Sequence, residues 1–318
     1  MRAVLVMNPN ATSTSVAKRD VIVAALAADL ELRVIATEFR GHAIEIAAKA
    51  AIDGVDLVLV LGGDGTVNEV INGLLSAGRA DNIPMLAVVP GGSGNVFARI
   101  LGFPASDPVE ATGLLLGALR AGRHRRIGLG RLQFVRTDSS TEERWFSFNA
   151  GLGVDADTVA SVERQRERGR RASPLRYALT AVHEYLSADL SRPVLSLYRP
   201  GLEPVNGLRL AIIQNASPWS YLGARPVSFT PSASFDTGLD LFAATRGSVA
   251  AGLWQTAQAV ASPARGVTGS GAMRVHDASW LQLVAAGAPV RLQVDGDDLG
   301  PVVAVTAFAE PDVIRVVC

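Results

Sequence analysis

Asp56-Leu-Val-Leu-Val-Leu61 runs directly into Gly62-Gly-Asp-Gly-Thr66, and this stretch decides how the chain folds. A continuous run of valine and leucine is typical of a strand that is buried on both faces of a sheet. The glycines predict a tight turn, and Val67–Leu75 has the apolar spacing of a helix. A strand, a turn and a helix in this order form the unit from which parallel α/β sheets are built.

The same alternation of strand and helix surrounds this unit. Further strands are predicted at Ala3–Met7, Leu32–Ala36 and Met85–Val89, and further helices at Val16–Leu30, Ala43–Ala51 and Val96–Leu101. Because such alternation requires right-handed crossovers, we expect an α/β fold with a doubly wound parallel sheet over residues 1–127.

The second half of the chain has a different pattern, in which short strand-like runs follow one another between turn signals. The predicted strands are Leu129–Val135, Trp145–Phe148, Val194–Tyr198, Leu208–Ile213, Leu239–Ala244, Trp280–Val284, Val290–Val294 and Val302–Phe308; the helices are Ala156–Arg164, Pro174–Leu186 and Val249–Val260. This pattern predicts an antiparallel β-sandwich-like domain over residues 128–311. Residues 312–318 form a last strand that can pair with either domain, including a return to the first.

Composition excludes several classes of protein. The 318 residues contain 30 basic and 30 acidic side chains, so no overall positive field favours nucleic acid. No apolar run approaches the ~18 residues of a membrane span. Cys318 is the single cysteine, which permits no internal disulfide. With no signal-peptide pattern at Met1–Met7, we expect a cytoplasmic protein.

Three predicted strands of the first domain end in loops suited to an anion. They run into Asn8-Pro-Asn-Ala-Thr12, Gly62-Gly-Asp-Gly-Thr66 and Pro90-Gly-Gly-Ser-Gly-Asn95, respectively. In a parallel sheet these loops share the carboxyl edge, where glycine lets backbone N–H groups approach a phosphate and the following helix offers its N-terminus. Tight turns without a ligand are the alternative. The loops match neither the Walker sequence nor the dinucleotide fingerprint, and the four histidines show no metal spacing.

Gly62-Gly-Asp-Gly-Thr-Val-Asn-Glu69 resembles the signature of the diacylglycerol kinase catalytic domain, a family that includes bacterial lipid kinases, sphingosine kinases and ceramide kinase. Five further motifs follow in the family's order: Asn8-Pro9, the Pro90–Asn95 loop, Phe148-Asn-Ala-Gly-Leu-Gly153, Phe235-Asp-Thr-Gly-Leu-Asp240 and Val294-Asp-Gly-Asp297. The resemblance implies an ATP-dependent kinase with its nucleotide on the first domain and a lipid substrate on the second.

The nucleotide contacts expected from the glycine loops and the resemblance form one set. They are Asn8, Pro9, Asn10, Ala11, Thr12, Thr37, Gly62, Gly63, Asp64, Gly65, Thr66, Val67, Asn68, Gly92, Ser93 and Arg99. Thr37 rests on the resemblance, and an ordinary threonine at a strand end is its alternative. Arg99 lies about one helical turn beyond the second glycine loop, so its guanidinium can fold back onto a phosphate. Lys18 is a weaker candidate, and exposure on a helix face is the alternative for both.

Two acids are expected to act in catalysis. Asp64 is the acid best placed to hold Mg²⁺ beside the phosphates, and a loop acid between glycines contributes little packing. In the resembled family the base that takes the lipid hydroxyl proton is the acid of a D-G-E turn, whose place Asp297 holds here. Asp298 is the alternative base, and a simple Asp-Gly hairpin turn is the structural alternative.

A second metal site, with a structural role, is implied by the resemblance but altered in this chain. Asp236 and the Leu239 carbonyl are the expected ligands. The loop Phe235–Asp240 is one residue shorter than is usual in the family, and Gly128 stands where bacterial members usually carry an aspartate.

A lipid kinase must reach a membrane surface, and two basic clusters could provide the contact. These are Arg120–Arg126 and Arg164–Arg171, with exposed helix or loop surface as the alternative. Trp219, Tyr221 and Leu222 could line a lipid entrance or simply pack. We expect peripheral association with the inner membrane face, no nucleic acid partner, and an oligomeric state that the sequence leaves open, a homodimer included. An NAD kinase-like enzyme and a non-catalytic lipid-binding protein of the same fold remain the alternative functions.

Overall fold

The computed structural model describes residues 1–11, 14–78, 82–153, 194–245 and 249–318. The chain divides into two compact units. Unit 1 comprises Met1–Gly128 with Asp312–Cys318, and unit 2 comprises Leu129–Pro311. The helices expected at 156–164 and 174–186, the cluster 164–171 and Thr12 lie outside the described residues.

Unit 1 is built on a parallel sheet. Its elements are β1 (Arg2–Met7), α1 (Val16–Asp29), β2 (Glu31–Ala36), α2 (His42–Ile52), β3 (Leu57–Gly62), α3 (Asp64–Leu74), β4 (Met85–Pro90), α4 (Val96–Ile100) and α5 (Pro108–Arg120). The strand order is β4-β3-β1-β2, with every neighbouring pair parallel. All six residues of β3 are buried, as the apolar run predicts for a central strand.

Local sequence explains where the helices of unit 1 begin. Ser15 caps α1 by accepting a hydrogen bond from Lys18 N, and Asp107 caps α5 by accepting one from Val109 N. Helix α5 was missed by the periodicity analysis, although Asp107 followed by Pro108 is a typical helix start. Helix α3 begins at Asp64 rather than Val67, so Asp64–Thr66 form its first turn.

Unit 2 is built from antiparallel strands. They are β5 (His124–Arg136), β6 (Thr141–Phe146), β7 (Asn149–Gly153), β8 (Leu195–Arg199), β9 (Leu202–Leu208), β10 (Leu210–Gln214), β11 (Ser220–Leu222), β12 (Arg225–Val227), β13 (Leu239–Ala244), β14 (Ala272–Ala278), β15 (Trp280–Ala285), β16 (Val290–Val294) and β17 (Asp297–Val317), with helix α6 (Val249–Ala261) after β13. The pairs β7–β10, β10–β13, β7–β16 and β15–β17 are all antiparallel. The predicted fold class, a parallel α/β domain followed by an antiparallel β domain, is confirmed.

The two ends of β17 belong to different units. Near its end, Val316 pairs in parallel with Leu86 of β4, so the last strand adds to the sheet of unit 1. The core of unit 2 is formed by alternate residues of its strands, among them Leu152, Ile213, Leu241, Leu292 and Val305, each fully buried.

Candidate functional site

The first glycine loop of unit 1 turns sharply from β3 into α3. Gly63 is the N-cap of α3, with extended backbone. A Cβ added to Gly62 would lie 2.8 Å from Thr66 Cβ, closer than real Cβ contacts permit. Glycine is therefore required at position 62 to let the chain enter the helix directly after the strand.

The two glycine loops touch each other through their backbones. Gly91 N donates a hydrogen bond to Gly62 O at 2.8 Å, and a Cβ added to Gly92 would lie 2.6 Å from Gly63 Cα. Because β3 and β4 are adjacent parallel strands, the sheet brings these carboxyl ends together as the sequence predicts. Ser93, at the tip of the second loop, is exposed.

Asp64 has a structural role that the sequence did not predict for this loop acid. Its Oδ2 accepts a hydrogen bond from Val96 N at 3.1 Å, and its Oδ1 accepts one from Phe97 N at 3.0 Å. The carboxylate thus caps α4 from the first turn of α3, where its negative charge meets the positive end of the helix. The expectation that Asp64 contributes little to the fold is wrong, because this side chain joins the two loops.

Asn8 connects the loop after β1 to the first glycine loop. Its N–H donates to Leu61 O at 3.0 Å, its Nδ2 donates to Thr66 Oγ1 at 3.2 Å, and its Oδ1 accepts from Asn10 N at 2.9 Å. Asn8 therefore holds the loop in shape, in addition to the nucleotide contact expected of it. Val67 and Asn68, also in the expected set, are buried in α3.

The remaining expected contacts of unit 1 lie at the ends of their elements. Thr37 directly follows β2, and its N–H donates to Met7 O at 2.9 Å. Arg99 lies in the last turn of α4 and is half-buried. Lys18, the weaker candidate, lies on α1 and forms an exposed ion pair with Asp107 at 3.8 Å.

Glu69, the last residue of the glycine motif, has a role that the sequence analysis missed. Its two carboxylate oxygens accept hydrogen bonds from Gly41 N at 2.9 Å and Ala43 N at 3.3 Å. Glu69 therefore caps α2 from the middle of α3. No local signal could reveal this, since 26 to 28 residues separate the partners.

In unit 2, the acid turn is a two-residue hairpin. Val294 pairs with Asp297, and the two residues between them have positive φ, 48° for Asp295 and 86° for Gly296. Aspartate followed by glycine suits such a turn, because both residues tolerate the left-handed region. The Asp-Gly hairpin, predicted as the structural alternative, is therefore present.

Asp295 is used entirely by the fold. It is 2% exposed, and its oxygens accept hydrogen bonds from Ser147 N, Ser147 Oγ, Phe148 N and Asn149 N at 2.7 to 3.1 Å. The carboxylate therefore holds the turn between β6 and β7 against the hairpin. A buried carboxylate satisfied in this way is structural.

The two acids after the turn differ in their surroundings. Asp298 forms an ion pair with Arg291 of β16, and its Oδ1 accepts from Gly300 N at 3.0 Å. Asp297 is partly exposed at the start of β17. Asp297 as the base, with Asp298 as the alternative, stays a prediction from the sequence.

Hydrogen bonds surround the loop in which the second metal site is expected. Asp236 is exposed and Leu239 begins β13, while the buried Asp240 accepts from His276 Nδ1 at 2.7 Å and from Asp277 N at 3.1 Å. Gly238 N donates to Asp277 Oδ1 at 2.6 Å. No three acids, histidines or cysteines in the described ranges converge as metal ligands. The second metal site at Asp236 and the Leu239 carbonyl stays a prediction from the resemblance.

The first basic cluster is partly neutralised. Arg120 Nε lies 2.7 Å from Asp29 Oδ2, and this hydrogen bond raises the pKa of the guanidinium above its ordinary value.

Trp219 packs edge-on against Phe229, with ring centroids 5.4 Å apart, while Leu222 is 40% exposed. The structure therefore favours packing for Trp219. Within the part of the chain that is described, no helix combines the length and apolarity needed to cross a membrane.

Comparison with other proteins supports the resemblance. Residues 2–132 match the family model of the diacylglycerol kinase catalytic domain. A diacylglycerol kinase of Bacillus subtilis is 41% identical over 97 residues, which covers 30% of this chain and 30% of that protein. The chain spans between 30% and 41% of the length of the first curated relatives that it matches.

Two solved structures show how far the fold extends. A diacylglycerol kinase from Bacillus anthracis aligns over 99% of this chain and 96% of its own, with a TM-score of 0.68 and 20% identity. A yeast NADH kinase solved with NADH aligns over 100% of this chain and 83% of its own, with a TM-score of 0.55 and 12% identity. At these identities the likeness shows the fold alone.

Proposed function

We propose that this chain, whose residues 2–132 match the diacylglycerol kinase catalytic domain, is an ATP-dependent lipid kinase that transfers the γ-phosphoryl group to the hydroxyl of a lipid such as diacylglycerol. The observation that carries the proposal is the backbone contact between Gly62–Gly63 and Gly91–Gly92, in which both loops meet at one sheet edge. The first loop leads into the N-terminus of α3, a combination suited to phosphate.

Asp64 fits a role beside Mg²⁺. Its two oxygens accept backbone hydrogen bonds from the start of α4, and the residue is partly exposed, so the carboxylate lies at the surface of the glycine loops. Mg²⁺ usually takes one or two protein carboxylates and fills its other positions with water and substrate phosphates. Asp64 alone can therefore supply the protein ligand, and the bound ion would neutralise charge on the transferred group.

The roles of the other residues follow from their positions. The glycine loops bind and orient the triphosphate, with Arg99 as the cation of α4. The lipid hydroxyl oxygen attacks the γ-phosphorus, the bond to the β-phosphate oxygen breaks, and Asp297 accepts the hydroxyl proton. ADP and a phosphorylated lipid are the products.

An NAD kinase-like activity is the second candidate, since the fold aligns with that of a yeast NADH kinase over the whole chain. The acid turn of unit 2 and the Pro90–Asn95 loop support the lipid kinase instead, because both follow the lipid kinase motifs. A non-catalytic lipid-binding role is the third, supported by the altered Phe235–Asp240 loop.

One experiment separates the three functions. The purified protein is incubated with γ-labelled ATP, Mg²⁺ and either a lipid panel or NAD, and the products are separated by thin-layer chromatography. We expect label in the organic extract, and at least ~10²-fold less of it when Asp297→Asn is used. The matched control is Asp138→Asn, which changes an exposed turn acid of unit 2. Label in NAD alone would overturn the proposal, and ATP binding without turnover on any lipid would favour the non-catalytic role.

A further inference from the structure

Helix α6 has an outer face without any charge. None of its 13 residues is acidic or basic. Trp254, Ala257 and Ala261 are exposed and lie three to seven residues apart, so they share one face, while Gln255 and Ala259 are buried. Trp254 is 67% exposed. A surface helix ordinarily carries charged residues on the side that faces water, and this one carries a tryptophan instead.

This exposure does not result from a loosely attached helix. Ala259 belongs to a buried cluster with Val227, Phe229 and Phe242. Ser228 N donates to Ala259 O at 3.1 Å, which ties the end of α6 to the segment after β12. The helix is therefore held by its inner face, and its apolar outer face is left to contact something else.

The hairpin that packs beside α6 carries the same combination of apolar and basic residues. Helix α6 packs against β12, and the β11–β12 hairpin turns through Gly223-Ala224. Leu222 is 40% exposed and pairs across the hairpin with the exposed Arg225. Beyond α6, the exposed Arg265 lies in a loop tied to the helix, where Thr268 N donates to Gln258 Oε1 at 3.1 Å.

The charge of this region is one-sided. The whole chain has equal numbers of acidic and basic residues, yet no acid occurs from Leu241 to His276. Within the described part of this stretch lie Arg265 and Arg274, both exposed. An apolar face bordered by arginine, without acids, is complementary to a surface of anionic headgroups above an apolar interior.

We propose that α6 and the β11–β12 hairpin form a docking surface for an anionic lipid bilayer. The Trp254 indole enters the headgroup region, where an aromatic ring with one polar N–H is favoured. Arg225 and Arg265 contact lipid phosphates. This surface differs from the basic clusters expected from the sequence. It deepens the proposed function by stating how a lipid kinase reaches its substrate.

The test measures sedimentation of the full-length protein with vesicles in the absence of ATP. Vesicles of equal parts phosphatidylglycerol and phosphatidylcholine are expected to bind the protein, and pure phosphatidylcholine vesicles much less. Trp254→Ala should weaken partitioning about tenfold. Each of Arg225→Ala and Arg265→Ala should weaken it about fivefold. The matched controls, Ile52→Ala and Arg33→Ala, remove exposed side chains of unit 1 and should bind unchanged.

A second readout reports the location of Trp254 directly. Brominated anionic lipids should quench tryptophan emission in the native protein, and Trp254→Phe should lose most of that quenching while it keeps vesicle binding. Unchanged partitioning of the Trp254→Ala and arginine variants would overturn the docking surface. So would a concentration-dependent dimer, seen by analytical ultracentrifugation, that Trp254→Ala abolishes.

The two proposals fail in different ways. Activity on a short-chain, water-dispersed diacylglycerol without any vesicle binding would overturn the docking surface alone. Vesicle binding without phosphorylation of any lipid would overturn the proposed kinase activity alone.

Discussion

Asp64 of unit 1 and Asp295 of unit 2 have similar neighbours in the sequence but different surroundings in the fold. Both are followed by glycine and lie just after a buried strand, and both accept hydrogen bonds from backbone N–H groups. Asp295 accepts four hydrogen bonds and is 2% exposed, whereas Asp64 accepts two from α4 and stays partly exposed. Because Asp295 is buried by the turn that it holds and Asp64 is partly exposed, only Asp64 of the two can meet a ligand from solution.

The largest effect is expected for Asp64→Ala. Without the carboxylate, Mg²⁺ and the phosphates are poorly held, and phosphoryl transfer should fall by ~10³ or more. The loss of two capping hydrogen bonds should also lower the free energy of unfolding by about 1–2 kcal/mol. Initial rates and urea denaturation check the two effects separately. If activity is retained, Asp64 is a structural acid like Asp295 and the contrast between them fails.

The next effect concerns the acid that the hairpin leaves partly exposed. Asp297→Asn should lower turnover by ~10²–10⁴ with ATP affinity nearly unchanged, because a positioned base is lost while the phosphate loops stay intact. Asp297→Glu should keep substantial activity. Steady-state kinetics and nucleotide titration provide the measurements.

Asp298→Asn is the matched control for this change. It removes one charge from the pair with Arg291 and should affect turnover only mildly. If Asp298→Asn proves the severe variant and Asp297→Asn stays active, the base is one residue further along the strand than we propose.

Asp295→Ala should unfold unit 2 more readily without acting on chemistry. Removal of a buried carboxylate leaves three backbone N–H groups and one hydroxyl without their acceptor, which should cost about 3–5 kcal/mol. Asp295→Asn should cost less, since asparagine tolerates the positive φ and retains one oxygen acceptor. Urea denaturation measures both. A loss below 1 kcal/mol for alanine would contradict the structural role.

A smaller effect tests the contact between the glycine loops. In Gly92→Ala the new Cβ would meet Gly63 Cα at 2.6 Å, so the loops must separate at a cost of about 1–3 kcal/mol, with weaker ATP binding. Gly63→Ala meets Gly92 Cα at 3.3 Å and should be milder. Gly113→Ala on α5 meets no atom within 4 Å and should stabilise by ~0.5–1 kcal/mol. Calorimetry and ATP titration rank the three variants, and equal values for all would show that the loops are not in contact.

The smallest effect lies in unit 2, at the ion pair between Arg136 and Glu142. Hydrogen bonds from Arg136 at 2.8 and 3.1 Å lower the pKa of Glu142 below its ordinary value. The pair therefore stabilises the fold at neutral pH, and this contribution is lost as the pH falls through the folded pKa of Glu142. Because Glu142 is half exposed, Glu142→Gln should cost only about 0.2–1 kcal/mol at pH 7 and nothing in strong acid. Thermal denaturation of the native protein and of Glu142→Gln, from pH 7 down to strong acid, measures this difference in stability.

The sequence by itself determined the parallel sheet of unit 1. The apolar run Leu57–Leu61 and the glycines after it specify a strand and a tight turn through neighbouring residues alone. The sequence also identified which loops lie at the carboxyl edge, since parallel strands align their ends, and it located the Asp-Gly hairpin, since that pair of residues suits two positive φ angles. The sequence did not predict helix α5 or the short strands β7, β9, β11, β12 and β14. Their hydrophobic patterns are weak, and neighbouring elements stabilise them by packing.

Only the tertiary structure decided what the acids do. Asp64 contacts N–H groups 32 and 33 residues away, Glu69 contacts a helix 26 to 28 residues before it, and Asp295 contacts a turn 146 to 148 residues before it. Hydrogen bonds over such separations depend on how strands and helices come together, which no local pattern encodes. The hydrogen bond between Asp240 and His276 and the exposed, uncharged face of α6 were also decided by the tertiary structure. Both depend on which residues the fold buries and which it leaves exposed.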